Sequence, residues 1–275
     1  MEFLADKDAL ARTQAATDYP LQRAADGRVV GHFFHCRLSS VFQPVIDVSG
    51  RQVVGHAAYV RSDANDDAAL SPWGIFSLAA DDPVLVRLDR LCRTLHALNY
   101  FSAVPESQSL FVAVQPRLLE SVKDGHGRAF EKVLDLIGVE TSRVVIEIPL
   151  EVNRDWRLLK HVIVNYRSRG YRIALNHGGE NEGWMPELGG LYPDFVRLGA
   201  DPLKKRAGMT ALVEVIHRFG ATLLVRDVET EQEMSAAIRA GADLLQGRFL
   251  GEPARAIESI SRRSQEQGSH PGCAW

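Results

Sequence analysis

Cysteine is scarce: three in 275 residues, at Cys36, Cys92 and Cys273. They are odd in number and widely spaced, so they fit neither a disulfide framework nor a metal-binding pattern. They read as reduced thiols of a cytoplasmic protein. Long apolar runs are also lacking. None approaches the ~20 residues needed to cross a bilayer, which excludes a helical membrane span. The opening MEFLADKDALARTQ carries charges at Glu2, Asp6, Lys7 and Asp8 and has no apolar centre, so a secretory signal is not expected. Charge of one sign is not in excess either. With 32 basic and 35 acidic residues the net charge is −3, and the basic residues form no stripe with aromatics. Direct binding to nucleic acid or an anionic membrane is therefore not expected. Gly-x-x-x-x-Gly-Lys, Gly-x-Ser-x-Gly and His-Glu-x-x-His are all missing, and Gly178-Gly179 lacks the dinucleotide fingerprint.

The clearest local pattern is VFQPVIDVSGRQVVGHAAYVR, residues Val41 to Arg61. It reads as two strands, 41–48 and 52–60, joined at Ser49-Gly50. Six further β runs follow, at 110–114, 144–148, 172–175, 195–198, 222–225 and 244–245. Helical stretches at 73–80, 84–98, 129–137, 158–168, 203–219 and 231–240 separate them. The runs are short and continuously apolar, as parallel strands buried on both faces must be. Eight such strands predict an α/β fold, a modified (β/α)8 TIM-like barrel with one antiparallel strand. The domain layout expected is an N-terminal arm over 1–37, with a short helix near 5–16, a barrel over 38–261 and a polar tail over 262–275.

Chemistry in such barrels sits at the carboxyl ends of the strands. Those ends carry Ala57 with Arg61, Ala113 with Gln115, Glu147 with Pro149, Asn176 with His177, Arg197 with Gly199, Arg226 with Asp227, and Gln246 with Arg248. In kind and order this series resembles the EAL domain, the bacterial cyclic di-GMP phosphodiesterase. Phe42-Gln43-Pro44, Gly55 and Arg61 resemble its opening. Val228-Glu229-Thr230, Gln246-Gly247 and Pro253 resemble later motifs. The resemblance covers roughly residues 38–255 and implies the same barrel. It also implies that metal ligands stood where this chain has Ala57, Ala113, Asn176, His177, Gly199 and Arg226, and that the family's Lys-Ile-Asp reads Arg197-Leu198-Gly199. Glu147 is the one acid kept at these ligand positions. A pair of hard divalent ions needs several converging carboxylates, so no metal site, catalytic residue or cofactor is expected.

The bare Glu147 needs a cationic neighbour. Arg226 is the first choice for an ion pair and Arg197 the second. Gln43 and Gln246 either bond backbone at the barrel rim or hold a nucleotide. Arg61 is either structural or a phosphate clamp. Gln43, Arg61, Glu147 and Gln246 are thus the vestigial nucleotide-binding candidates. The function expected is a catalytically inactive regulator that binds a protein partner in bacterial signalling or gene regulation, with cyclic di-GMP bound weakly or not at all. The alternatives are a non-hydrolysing cyclic di-GMP receptor and a residual phosphodiesterase. The resemblance further implies a homodimer formed near residues 176–191.

Overall fold

The computed structural model describes residues 7–63, 72–178, 190–201 and 209–257. Its ten strands form one sheet: β1 (Leu21–Arg23), β2 (Val29–Phe33), β3 (Cys36–Asp47), β4 (Val53–Asp63), β5 (Ser109–Ala113), β6 (Val144–Ile148), β7 (Arg172–His177), β8 (Phe195–Gly199), β9 (Thr222–Arg226) and β10 (Leu244–Leu245). Neighbours run β3-β10-β9-β8-β7-β6-β5-β4, and β4 pairs back with β3, so eight strands close. β4 to β10 are parallel in succession, whereas β3 is antiparallel to both β4 and β10. This is the barrel the sequence implies, with its single reversed strand.

The hairpin that begins the barrel is longer than its sequence pattern. β3 and β4 pair from Arg37↔Asp63 to Ile46↔Val53, with a register shift between Val45 and Ile46. At the turn, Asp47 Oδ2 accepts from Ser49 Oγ at 2.7 Å and from the Gly50 amide at 2.5 Å. The side chain thus fixes the bend locally, as Asp does in Asx turns.

The expected arm over 1–37 is partly sheet. Lys7–Thr17 is helical, but β1 and β2 form an antiparallel pair, and β2 joins the start of β3 through Gly31↔Leu38. These strands escaped notice because one has three residues and the other is broken by Gly31, which leaves too little alternation to read. The expected tail, 262–275, lies outside the described residues, as does 179–189 of the expected dimer loop.

Helices return the chain on the outside of the barrel. Asp82–Tyr100 starts where the Asp81 carboxylate accepts from the Val84 amide, and Trp156–Arg167 starts at Asp155 in the same way. Glu231–Ala240 opens on a full capping box between Thr230 and Glu233 and ends on Gly241 at φ 94°. Each cap satisfies amides that the first turn leaves without partners. The buried faces of these helices pack on the outer faces of the strands in apolar clusters. No described helix is long and apolar enough to cross a membrane.

A fourth cluster fills the inside of the barrel with one residue from each closing strand: Val45, Ala57, Phe111, Val145, Ala174, Phe195, Leu224 and Leu244. This plug divides the interior into two ends. Strand side chains alternate faces. Two residues further toward the carboxyl ends, the inward positions are therefore Tyr59, Ala113, Glu147, Asn176, Arg197, Arg226 and Gln246, with Gln43 on the reversed strand.

Candidate functional site at the carboxyl mouth of the barrel

The strand-end residues meet in a polar network above the plug. Glu147 on β6 is buried with 6% of its surface exposed, and Arg197 on β8 with 4%. The Arg197 Nη1 forms an ion pair with Glu147 Oε2 and reaches Asn176 Oδ1 at 3.4 Å. Its Nη2 donates to Gln246 Oε1 at 3.0 Å. Gln246 Nε2 in turn donates to Gln43 Oε1 at 2.9 Å and to the Tyr59 hydroxyl at 2.8 Å. Gln43 Nε2 donates to the Gly251 carbonyl at 3.1 Å. Asn176 Nδ2 donates to the Ile148 carbonyl at 2.9 Å. A connected path of side chains thus crosses the mouth from β6 to β3.

The guanidinium on Glu147 belongs to Arg197, which corrects the first choice of Arg226. Arg226 bonds instead to its own neighbour, Asp227 Oδ2, at 2.5 Å. Asp227 stands at φ 61°, a left-handed backbone that turns its carboxylate out beside Arg226. An adjacent acid captures that guanidinium in partly open water, where the Arg226 side chain is 38% exposed. Arg197, two strands from Glu147 and facing the same interior, keeps the buried charge.

The other predicted positions separate. Gln43, Glu147, Asn176, Arg197 and Gln246 come together. Ala57 is 1% exposed and sits within the apolar plug. Ala113 is exposed at the end of β5, and Gly199 is half-buried at the end of β8. His177 is 4% exposed and, next to inward Asn176, lies on the alternate face of β7. Arg61 is exposed at the open end of β4, opposite Ser39. Tyr59 belongs to the network, a role not assigned to it from sequence. The signal was its spacing, since Gly55, Ala57, Tyr59 and Arg61 share one face of β4. Burial, and then the negative charge of Glu147, push the Tyr59 hydroxyl above the usual phenol range.

The Gln246-Gly247 step has a steric basis. A Cβ on Gly247 would stand 2.0 Å from the Val228 carbonyl oxygen. The Val228 amide donates to the Gln246 carbonyl at 3.1 Å, so the two backbones touch here. Glycine at 247 lets the strand end pass close enough to aim Gln246 inward.

The donors do not suit a pair of divalent cations. Among the described residues, Glu147 Oε1 is buried without a hydrogen-bond partner, as is Arg197 Nε. That one free oxygen lies beside a guanidinium, which repels a second cation. Ala57 and Ala113 supply no ligand atoms. Among the described residues no group of three or more His, Cys, Asp or Glu side chains converges as a metal site.

Comparison with known proteins identifies the fold. The EAL-domain protein YkuI of Bacillus subtilis is 26% identical over 224 residues, which is 77% of this chain and 54% of YkuI. This chain therefore spans about half the length of that relative. The crystal structure of YkuI, in complex with cyclic di-GMP and calcium, matches with a TM-score of 0.71 at 23% identity, covering 83% of this chain and 59% of that one. The Xanthomonas citri FimX EAL domain, in complex with cyclic di-GMP, matches with a TM-score of 0.67 at 18% identity, covering 81% and 90%. A model of the EAL domain matches residues 29–253, taking in β2 through the last described turn, so the chain belongs to the EAL-domain family of cyclic di-GMP signalling.

Proposed function

We propose that this EAL barrel does not hydrolyse cyclic di-GMP and acts as a regulatory protein by binding a protein partner. The observation that carries this reading is the ion pair between Arg197 and Glu147. A phosphodiesterase of this family needs metal ions at its strand ends to neutralise phosphate and to activate water. Here a fixed guanidinium neutralises the one acid kept at the former ligand positions. Arg226, in place of a further ligand, adds positive charge rather than negative. The network Arg197–Gln246–Gln43 also uses polar atoms that a nucleotide would otherwise engage.

The test is chromatographic, with purified protein, cyclic di-GMP and excess Mn²⁺ or Mg²⁺. No linear dinucleotide above blank is expected. Metal-dependent turnover that disappears in Glu147→Ala would overturn the reading. Protein partners are then sought by affinity capture, confirmed by titration with the purified candidate.

A second reading, a receptor without turnover, is favoured by exposed arginines at the rim: Arg61, Arg226 and Arg248. The solved structures of YkuI and FimX hold cyclic di-GMP. Calorimetry with the nucleotide, with and without Ca²⁺, separates the readings. A micromolar or tighter affinity lost in Arg61→Ala selects the receptor.

A further inference from the structure

The opposite end of the barrel, below the apolar plug, holds a cavity of about 490 Å³. It is built from the inward positions at the amino ends of the parallel strands and the end of β3, so it is separated from the carboxyl mouth by the ring of Phe111 and Phe195. Such a volume suits a small organic molecule.

Its most unusual member is Arg172. The guanidinium lies 4.5 Å from the centre of the Phe195 ring and its Nη1 reaches Ser109 Oγ at 3.5 Å. Among the described residues it forms no ion pair. The acid whose field reaches it, Asp194, is already held by Arg167 at 3.1 Å and by the Ile173 amide at 2.8 Å. Burial pulls the Arg172 pKa downward, as expected for a cation that lacks a close counter-ion. The contact with the Phe195 ring restrains the guanidinium, which lines the cavity.

The other charges restrict what can enter. Asp47 is tied to Ser49 and Gly50, and these hydrogen bonds, the Ser49 hydroxyl first, hold its carboxyl below the usual range. Asp243 Oδ2 accepts from the Leu223 amide at 2.7 Å and from His217 Nε2 at 2.9 Å. Two acids therefore border the cavity and His217 is committed to one of them. A dianionic phosphate would face both acids with, among the described residues lining the cavity, Arg172 as the one cation outside an ion pair. A single carboxylate matches the planar fork with two hydrogen bonds and carries half the repulsion. Val54 and the edges of the nearly buried Phe111, Phe195 and Leu244 border the cavity on its apolar side and meet the rest of the molecule.

We infer that the amino-terminal end of this barrel binds a small monocarboxylate with an apolar or aromatic body, its carboxylate on Arg172 and its body against Phe111 and Phe195. This site is independent of the carboxyl mouth and of whatever nucleotide chemistry remains there.

The test uses 3-phenylpropionate as the probe, with 3-phenylpropionamide and phenyl phosphate as controls, by calorimetry and by amide chemical shifts of the isotope-labelled full chain. A dissociation constant of about 1 mM or tighter is expected for the carboxylate. Shifts should centre on Ser109, Thr222 and Phe195, and neither control should bind comparably. Arg172→Met, which keeps an apolar stem on Phe195, should weaken binding at least ~10-fold. Thr222→Trp should block the cavity while leaving the charge in place. Absence of saturable binding up to ~10 mM, equal binding of the amide, or binding unchanged in both variants overturns the inference. If Arg172→Met does not fold, the location of the shifts in the wild-type protein and the Thr222→Trp variant decide it.

Discussion

At the scale of single residues, the mouth depends on one buried charge pair. Arg197→Ala leaves Glu147 buried without its cation. The expected loss of stability is about 3–5 kcal/mol, as for breaking other buried pairs. Urea unfolding followed by circular dichroism measures it, and a loss under about 1 kcal/mol would show that Glu147 finds another partner or water. Arg226→Ala, on a partly exposed pair, should cost well under that. Because a guanidinium rather than a metal neutralises the acid, the unfolding midpoint of the wild type should not move on adding a chelator. The strand-end positions of these groups were legible in the sequence through the carboxyl ends of the apolar runs and the resemblance to EAL motifs. Which arginine takes Glu147 was not. That choice turns on the left-handed backbone at Asp227, which places an acid beside Arg226, and no residue pattern announces such a conformation in a non-glycine residue.

At the scale of elements, continuous apolar runs marked the parallel strands, and caps marked the helices. Thr230 followed by Glu233 is a capping box in the sequence and in space. The short helix Pro116–Ser121 and the strand pair β1–β2 were not legible. Each is too short for periodicity, and each is held by contacts distant in sequence. The Val29 amide, for example, donates to Asn99 Oδ1 at 2.8 Å. Where elements touch through backbone, one methyl group is decisive. Gly247→Ala should destabilise by about 1–3 kcal/mol or more, since the added Cβ meets rigid backbone rather than a movable side chain. It should also displace Gln246 from the network, visible as changed amide shifts at Gln43 and Tyr59. A variant with wild-type stability and shifts would show that the β9–β10 contact has slack.

For the molecule as a whole, two histidines buried under the helices make stability dependent on acid. Burial lowers the pKa of His56 to about 4 and of His96, with a further contribution from Arg93, to about 3. His96 Nδ1 bonds Ser40 Oγ at 2.7 Å, and His56 Nδ1 lies 3.2 Å from the Tyr100 hydroxyl. Both folded values are below the unfolded value of about 6.5, so between these limits the unfolded chain binds more protons. Their contribution is complete above pH ~6.5 and is lost as pH falls through it toward ~4. By pH 5 each should cost on the order of 2 kcal/mol. Urea midpoints at pH 7, 6 and 5 should fall in that order, and a flat profile would refute buried neutral imidazoles. The closure of eight strands was legible at this scale because every run fits one topology. The plug and the two unequal ends were not, since they follow from how the closed sheet staggers its residues.

The way the ring closes also bears on how the chain is made. β3 leaves the ribosome before the other strands of the barrel, yet its end pairs with Leu244 and Leu245, and Phe42 bonds Ala254. At ordinary rates of synthesis those partners arrive on the order of ten seconds or more later. Throughout that interval part of β3 is an open edge, able to capture another nascent chain. The pair β1–β2, made still earlier, already occupies the first three residues of that edge, Cys36 to Leu38. The hairpin ahead of the barrel thus acts in time as well as in space, covering the start of the β3 edge while the rest of the seam waits for the last strand.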